Sequence, residues 1–578
     1  MHESVTTKPA AGPPPASATN WPVVALLVAV AVVPPTLLCL WWSEATDGRL
    51  LHLGRLLYWL MPVTVAFGAV CVGWRWRVRE TRSQVVLREW WPGLVVAIAA
   101  TLLVFWISPP QMRVQFDETC LVGTSQNMHL QRLAVMTTGA VPSAGEVVLI
   151  ENMVDKRPTL FAFLVSFVHD LTGYRLENAF FVNGALLALG LFVMFAATRA
   201  RLGLLAGLSA PLLVLSVPLV GVAATSAGFE LLATVLLLLA TVAALAFVAR
   251  PDDGRLAAFV GVGVLLAHAR YESVLALGLL ALLAAACVRG RYRPSLRAAT
   301  MLALCPTLLA PLFLLLQHAQ DPNFTPEAAG ESLASVTHFA DHLWPFLAAW
   351  FGPTNGNALP GWVAIVAAAL WLRRILRREA THVDLFAVVP IALAMLVLAW
   401  FYGDVSEPTA LRLFLPLAWV SLLPLLAQAE LVRGRGKPAG AVVLVVAVTL
   451  CAVRLPSVAT GSAFPELRIA SLTRALDRMI ERVPGDRATT LWVGAPAQHL
   501  VVKGHAAVSV RTFERLGGAI RDMQRRGDVQ TIYLLETPLD QGMAAALGSP
   551  RRLLARFSSR VVERVGGDMP ITLHQLGR

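Results

Sequence analysis

Charged residues are scarce in this chain of 578 residues, where Asp, Glu, Lys and Arg together account for 15% of the sequence. A protein made of three or four soluble domains needs a more highly charged surface, so the composition excludes that class. Hydrophobic residues account for 56%, and the mean hydropathy is +0.64. These values are typical of a protein that lives in a membrane.

Cysteines and nucleotide-binding motifs are also few or missing. None of the cysteines stands in a Cys-x-x-Cys spacing, so the sequence predicts neither a disulfide framework nor a zinc site. The sequence shows no Gly-rich dinucleotide motif and no P-loop. The six cysteines are Cys39, Cys71, Cys120, Cys287, Cys305 and Cys451.

Long apolar blocks are the main feature that is present. Each has the length of a helix that crosses a hydrocarbon core of about 30 Å, whereas the shorter alternating strands of a β-barrel do not fit. We predict a polytopic α-helical membrane protein with about thirteen transmembrane helices. They are expected near residues 22–42, 56–73, 92–108, 178–197, 204–221, 229–249, 256–270, 271–288, 297–317, 359–373, 384–402, 412–430 and 439–456.

Arginine-rich loops alternate along the chain with loops that are poor in Lys and Arg. The positive-inside rule places the Arg-rich loops in the cytoplasm, so we predict a multi-pass protein of the plasma (inner) membrane with its amino terminus inside and its carboxyl end outside. The formal net charge is +12. Most basic residues lie in these short loops, so we attribute the charge to topology and not to nucleic-acid binding.

Three regions follow from this topology. Residues 1–20 are predicted to be a disordered cytoplasmic tail, and residues 21–456 the transmembrane region. Its exterior loop, residues 109–177, is expected to hold helices lying on the membrane surface. Residues 457–578 are predicted to form a soluble exterior (periplasmic) α/β domain. Its short β-rich runs are 490–493, 529–535 and 571–573, and its amphipathic stretches are 465–483 and 512–526.

Two adjacent acidic residues, Asp117 and Glu118, stand early in the exterior loop. Carboxylates at this surface can carry chemistry, but they can equally cap a helix or be solvated. Further along the loop, Lys156 and Arg157 immediately precede Pro158 and an apolar run. Cations at headgroup depth suit a lipid-borne phosphate. The alternative is that they anchor the segment to anionic headgroups.

The order of these parts resembles the GT-C superfamily of integral-membrane glycosyltransferases, in particular the protein O-mannosyltransferases and the lipid A aminoarabinose transferases. In those enzymes an Asp-Glu pair in the first exterior loop precedes a Lys-Pro-Pro-Leu-like motif. Here Asp117-Glu118 is the pair, and Arg157-Pro158-Thr159-Leu160 stands in the place of the motif. Thr159 replaces the second proline, which leaves open whether Lys156 or Arg157 takes the phosphate-binding role.

Two further motifs fit the same resemblance. The segment His-Ala-Arg-Tyr-Glu-Ser at 268–273 resembles the family's Arg-Pro-Glu motif, with Tyr271 in place of proline. The segment Leu-Arg-Leu-Phe-Leu-Pro at 411–416 resembles an Arg-Tyr-x-x-Pro motif, with Leu413 in place of tyrosine. The resemblance spans residues 90–430 and includes the helix count and the exterior carboxyl domain.

The resemblance implies transfer of a sugar from a polyprenyl-phosphate donor to an envelope glycan, lipid or protein acceptor on the exterior side of the bilayer. It implies that Asp117 takes the proton of the acceptor hydroxyl and that Glu118 orients the acceptor or the sugar. The residues implied to bind the lipid phosphate are Lys156, Arg157, Arg270 and Arg412, and those implied to bind substrate are His268 and Glu272. Some family members use a divalent metal, Mg or Mn. The sequence shows no dedicated oxygen-ligand cluster, so the presence of a metal stays open.

Other charged residues also map to outer helix ends. For Glu230 we expect a helix cap rather than catalysis, and Arg270 with Glu272 can also be a structural ion pair. Asp404 and Glu407 are placed at the same side. His129 and His268 lack a second histidine at helical spacing, so metal binding by either is not expected.

Three other functions remain open: a secondary transporter, a ligase or polymerase of lipid-linked polysaccharide, and a non-catalytic GT-C relative. A transporter would show charged or Gly/Pro-broken helices related between two halves, whereas the charges here cluster outside. A ligase would carry its large outer loop late in the chain. The substituted motifs around Arg157 and Arg270 keep the non-catalytic alternative open.

Overall fold

The computed structural model of this chain is mainly helical. It describes residues 21–42, 47–77, 83–113, 115–318, 336–351, 358–400, 408–420, 437–459, 468–483, 485–538, 548–566 and 570–577. The predicted tail 1–20, Asp404 and Glu407 lie outside the described residues.

Apolar helices make up most of the described residues between 21 and 459. They are α1 (Trp21–Trp42), α2 (Asp47–Arg77), α3 (Ser83–Ile107), α4 (Gln115–Gln131), α5 (Leu160–Thr172), α6 (Glu177–Leu202), α7 (Leu204–Leu215), α8 (Pro218–Ala224), α9 (Glu230–Ala249), α10 (Asp253–Ala267), α11 (Ser273–Val288), α12 (Leu296–His318), α13 (Val336–Phe351), α14 (Ala358–Leu376), α15 (His382–Phe386), α16 (Val388–Trp400), α17 (Pro408–Leu411), a 3-10 turn (Arg412–Phe414), α18 (Leu415–Val420) and α19 (Lys437–Ala459). The predicted helices overlap these elements, and α13 is an additional helix.

Six of the described helical segments are long and apolar enough to cross a membrane: Leu51–Arg75, Trp90–Ile107, Glu177–Leu202, Glu230–Ala249, Leu296–Leu315 and His382–Ala399. The chain is therefore a multi-pass helical membrane protein. The pair α7 and α8 adds a seventh crossing if it counts as one bent span. The other apolar helices are shorter, so the count of about thirteen stays a prediction.

The predicted single helix at 204–221 is wrong, because the structure has two helices there that meet at 76°. Pro218 is at the start of α8. Proline has no backbone N–H to continue the hydrogen bonds of α7, but it fits the first turn of a new helix.

Helix α9 lies at the tightly packed centre of the helical region. Within its membrane-spanning segment, 83% of the residues are buried. On the adjacent α6, Gly190 faces the indole ring of Trp419, a fully buried side chain. A Cβ atom at position 190 would lie 2.1 Å from a carbon of that ring. Only glycine therefore fits this contact without movement of the ring.

The loop 109–177 contains α4, a β-hairpin and α5. The hairpin consists of β1 (Met136–Ser143) and β2 (Glu146–Met153), which pair antiparallel. The loop therefore holds two helices, and also a hairpin at 136–153 that the sequence did not predict. The 13 residues of α5 span roughly 20 Å at 1.5 Å per residue, which is too short to cross a membrane.

The carboxyl-terminal residues form a five-stranded sheet flanked by helices. Its elements are α20 (Arg468–Arg482), β3 (Thr490–Val493), α21 (Ala497–Val502), β4 (Ala507–Val508), α22 (Val510–Arg515), α23 (Gly517–Arg526), β5 (Thr531–Glu536), α24 (Pro550–Leu554), β6 (Ser559–Val565) and β7 (Ile571–Leu576). The strand order is β4-β3-β5-β7-β6, in which β4, β3 and β5 are parallel and β7 runs antiparallel to both neighbours. The strands predicted at 490–493, 529–535 and 571–573 are confirmed.

The hairpin of the loop packs against this sheet. Ala140 of β1 belongs to the same buried cluster as Trp492 and Leu500. On β2, the Glu151 carboxylate accepts hydrogen bonds from the Thr512 hydroxyl and from Arg515, both at 2.8 Å. The loop and the carboxyl-terminal sheet are therefore in direct contact.

Candidate active site

The first turn of α4 carries the two predicted acidic residues, Asp117 and Glu118. Carboxylates are favourable there because the helix dipole places partial positive charge at its amino end. The Asp117 carboxylate accepts hydrogen bonds from Arg157, with Nε at 3.2 Å, and also from Arg412. Two guanidinium groups from distant parts of the chain thus hold this one carboxylate.

The segment between β2 and α5 supplies the first of these arginines. Its Asp155, Lys156 and Arg157 side chains are all buried, with 9% exposure or less. Besides Asp117, Arg157 donates a hydrogen bond to Asp155 over 2.6 Å. Pro158 follows directly and precedes α5. The segment is therefore packed inside the protein and is not solvated in a headgroup layer.

A second group of charges continues from Arg412. Its Nη1 lies 2.8 Å from the Glu230 carboxylate at the start of α9. Glu230 also lies 3.6 Å from Arg270, and Arg270 pairs with Glu272 over 2.6 Å. The Arg270 guanidinium lies 4.7 Å from the centre of the Phe229 ring, a cation–π distance.

These contacts form one chain of buried or half-buried ion pairs, which we call the arginine network. It links the loop 109–177, α9, the turn before α11 and the 3-10 turn after α17. Its members are Asp155, Arg157, Asp117, Arg412, Glu230, Arg270 and Glu272.

Sequence reasoning missed Asp155 and expected Glu230 to be only a cap. A buried charge is tolerated where it is paired. The closeness of Asp155 to Lys156 and Arg157 in the sequence could therefore have indicated that Asp155 pairs with one of these cations. For Glu230, its place at the amino end of a very apolar helix gave no indication of its arginine partners.

Glu118 and His268 lie in different surroundings from Asp117. Glu118 is 1% exposed, and its Oε2 accepts a hydrogen bond from the backbone N–H of Arg113 at 2.8 Å. The Arg113 guanidinium donates in turn to Ser108 and Thr225. His268 is also buried, and its Nε2 lies 2.9 Å from the carbonyl oxygen of Leu308 on α12. His129 pairs with Asp170 at 2.6 Å.

An apolar cavity of about 520 Å³ lies beside the network. Lys156 and Glu272 are charged residues of its lining. Most of the remaining lining residues are apolar; leucines are the most frequent, and Phe313 of α12 also contributes. Such a cavity can hold a hydrocarbon chain whose polar end reaches the charges.

Within the described ranges, no group of three or more His, Cys, Asp or Glu side chains could hold a metal ion. The four carboxylates of the arginine network, Asp117, Asp155, Glu230 and Glu272, are each paired with an arginine. This geometry assigns no residues to a metal.

No protein-family model and no curated protein matches the sequence. Among solved structures, the chain is similar to ArnT from Cupriavidus metallidurans bound to undecaprenyl phosphate, with a TM-score of 0.53 and 15% identity over 85% of this chain and 98% of ArnT. The chain has the GT-C fold. Apo ArnT gives a TM-score of 0.52 with 14% identity over 83% of this chain and 97% of that one. The oligosaccharyltransferase from Archaeoglobus fulgidus in the apo form is more distant, with a TM-score of 0.42 and 11% identity over 82% of this chain and 73% of that one.

The GT-C fold confirms the resemblance that the order of motifs predicts. At this level of identity the similarity concerns the fold alone. The roles of individual residues therefore depend on the geometry of this chain.

Proposed function

We propose that this protein is a membrane glycosyltransferase that moves a sugar from a polyprenyl-phosphate donor to a hydroxyl of an envelope acceptor at the exterior surface. The observation that carries the proposal is the position of Asp117 between Arg157 and Arg412. A carboxylate that can act as a base is thus next to two guanidinium groups that can bind a phosphate. The GT-C fold, shared with ArnT bound to undecaprenyl phosphate, supports the proposal.

The donor's phosphate would bind Arg157 and Arg412, with Lys156 beside them. Guanidinium groups match phosphate oxygens with paired N–H donors, and the Lys ammonium adds a point charge. The apolar cavity lined by Lys156 and Phe313 would take the first isoprenoid units. A molecule with an anionic head and a long hydrocarbon tail uses both features together.

In this structure Asp117 itself occupies the two guanidinium groups. A carboxylate that accepts charge-assisted hydrogen bonds is a weak base, because a proton would displace those bonds. An incoming phosphate competes with Asp117 for Arg157 and Arg412. Donor binding therefore frees the carboxylate to act as a base only when a lipid phosphate occupies the two arginines.

The transfer step forms a bond between the acceptor oxygen and the anomeric carbon, and it breaks the bond from that carbon to the phosphate oxygen. The electron pair stays on the phosphate, and the acceptor's proton moves to Asp117. Arg157 and Arg412 stabilise the charge that grows on the leaving phosphate. Direct displacement inverts the anomeric configuration, and the step needs no nucleotide.

The other candidate residues receive different proposed roles. Glu272 pairs with Arg270 and lines the apolar cavity, so we place it against the donor. Arg270 holds Glu230 and Glu272 and supports the phosphate site from behind. Glu118 and His268 are buried and bonded to backbone atoms, so they position α4 and α12 and do not touch substrate.

The test is release of free polyprenyl phosphate by purified protein in lipid, supplied with the host's lipid-linked sugars and envelope acceptors. Asp117→Asn should lower release by about 10²- to 10⁴-fold, the usual contribution of a general base. Asp170→Asn is the matched control, since Asp170 also pairs with an arginine, Arg132, at 2.7 Å in the same loop but outside the network.

Two outcomes would count against the proposal. Release by Asp117→Asn at the wild-type rate would show that Asp117 is not the base. No release by the wild type, in a folded preparation, would favour a transporter or a non-catalytic relative.

A further inference from the structure

A polar pocket of about 670 Å³ lies between the start of α6 and the carboxyl-terminal sheet. One wall comes from Tyr174 and the three residues after it, and another from the carboxyl half of α20. The turn after α21 completes it. None of the seven members of the arginine network lines this pocket. Its volume is in the range of small-ligand sites and is large enough for a short oligosaccharide.

The floor of the pocket is aromatic. Trp492 of β3 and Tyr533 of β5 are register partners on neighbouring parallel strands, and their ring centroids are 5.0 Å apart. The His505 ring lies 6.3 Å from the Trp492 ring. The Trp492 and Tyr533 side chains are almost wholly buried, at 3% and 4% exposure. They therefore offer the pocket a small apolar contact, and the choice of ligand depends mainly on the polar walls.

The walls carry equal numbers of positive and negative side chains. The cations are Arg175, Arg487 and Lys503, and the acids are Glu177, Asp477 and Glu481. Lys503 pairs with Asp477 over 2.5 Å. A ligand with net charge would meet as many repulsive as attractive groups. A neutral ligand with many hydroxyls can donate to the acids and accept from the cations.

The pocket is connected to the candidate active site by α21. At its end, the carbonyl of Val502 accepts a hydrogen bond from the Tyr174 hydroxyl. Near its start, the Gln498 amide lies 3.5 Å from Sγ of Cys120. Cys120 is one helical turn after Asp117 on α4. The same short helix therefore contacts both the pocket wall and the helix that carries the proposed base.

We propose that this pocket binds a neutral saccharide and that this saccharide is a sugar unit of the acceptor. The second part rests on the proposed transferase function, whereas the first part does not. The acceptor is then a glycan or a glycan-bearing molecule, held at the carboxyl-terminal sheet while its reactive hydroxyl reaches Asp117.

The binding test uses the full-length protein in lipid nanodiscs and saturation-transfer NMR with maltotriose, mannotriose, cellotriose and chitotriose, beside anionic trigalacturonate. At least one neutral trisaccharide should bind more tightly than trigalacturonate. The double variant Glu481→Ala, Arg487→Ala removes two exposed wall groups and should weaken that binding roughly tenfold, as the loss of one or two hydrogen bonds does. The control is Asp522→Ala, Arg525→Ala, an exposed ion pair of 3.2 Å on α23, which should bind like the wild type.

The binding part is overturned if no neutral trisaccharide binds, if trigalacturonate binds best, or if the Glu481, Arg487 double variant binds like the wild type. Asp117→Asn should bind the saccharide normally, because Asp117 does not line the pocket.

The acceptor part is tested by transfer kinetics. The Glu481, Arg487 double variant should raise the KM for the acceptor about tenfold and leave kcat unchanged, because the groups act in binding alone. An unchanged KM alongside active wild-type transfer would overturn the acceptor role and leave the transferase intact. Saccharide binding by a wild type that releases no polyprenyl phosphate would refute the transferase function and leave the pocket as a saccharide site.

Discussion

Replacement of Asp117 by asparagine should tighten the binding of polyprenyl phosphate while it lowers sugar transfer by about 10²- to 10⁴-fold. The reason is that Arg157 and Arg412 must release the Asp117 carboxylate before they hold a phosphate. Asparagine keeps the shape of the side chain but loses its charge, so it competes less well for the two guanidinium groups.

The size of the effect follows from those contacts. A hydrogen bond to a charged group contributes about 1.5–3 kcal/mol net, and part of this is lost with each weakened bond. Because 1.4 kcal/mol corresponds to a factor of ten, the dissociation constant for polyprenyl phosphate should fall by roughly tenfold. If Asp117 interacted only with the acceptor and did not compete with the phosphate, Asp117→Asn would leave the dissociation constant for polyprenyl phosphate unchanged.

The assay is a titration of fluorescent polyprenyl phosphate into nanodiscs that contain wild type, Asp117→Asn or the control Asp170→Asn. The control should bind like the wild type, since Asp170 pairs with Arg132 and not with Arg157 or Arg412. An equal or larger dissociation constant for Asp117→Asn would refute the competition between carboxylate and phosphate, whatever happens to transfer.

Three further predictions concern activity, packing and pH. Arg412→Lys should lower kcat/KM for the donor roughly 10- to 100-fold, because a lysine cannot hold two carboxylates with one planar fork; steady-state release measures it. Gly190→Ala should destabilise the protein by about 1–3 kcal/mol, because the added methyl group overlaps the Trp419 ring. The measurement is a lower Tm in detergent. Gly278→Ala is the control and should not lower the Tm, because nothing lies within 4 Å of the added Cβ atom. Burial and nearby cations lower the pKa of His505 to about 4. The folded state thus binds this proton less well than the unfolded state. The stability that neutral His505 maintains is therefore present above pH 6.5 and is lost as the pH falls toward 4. His505→Gln should flatten the dependence of the free energy of unfolding on pH between 6.5 and 4, and an unchanged dependence would contradict the prediction.

Hydropathy was sufficient to predict the long helices and part of the sheet. The helix predicted at 229–249 is observed as Glu230–Ala249, and the strand predicted at 490–493 has those bounds in the structure. In both cases apolar side chains fill most of the element, because most of its residues are buried. A pattern that uniform gives clear ends.

The hairpin at 136–153 was not predicted because its turn is unusual. Ala144 has a φ of 50° and Gly145 a φ of 84°. Alanine rarely adopts a positive φ, so the sequence Ser-Ala-Gly-Glu gives only half of the usual turn signal. The hairpin is also stabilised by residues far along the chain, including Thr512 and Arg515.

Local motifs identified most members of the arginine network, but not Asp155 or the role of Glu230, and not how the members pair. Asp117 and Arg412 are 295 positions apart, so no local pattern indicates that they meet. Glu230 appeared to be a cap because its partners, Arg270 and Arg412, come from two other segments. Pairing across a membrane protein depends on how its helices pack, which hydropathy does not specify.

The central claim is transfer from a lipid-phosphate donor with Asp117 as the base, and a single-turnover reaction in proteoliposomes tests it most directly. Lipid-linked sugar and acceptor are mixed without nucleotide, and free polyprenyl phosphate and glycosylated acceptor are counted together by mass spectrometry. We expect the two products in equal amounts from the wild type, and both products formed at least about 10²-fold more slowly by Asp117→Asn. Polyprenyl phosphate without glycosylated acceptor, or equal products from both proteins, would contradict the account.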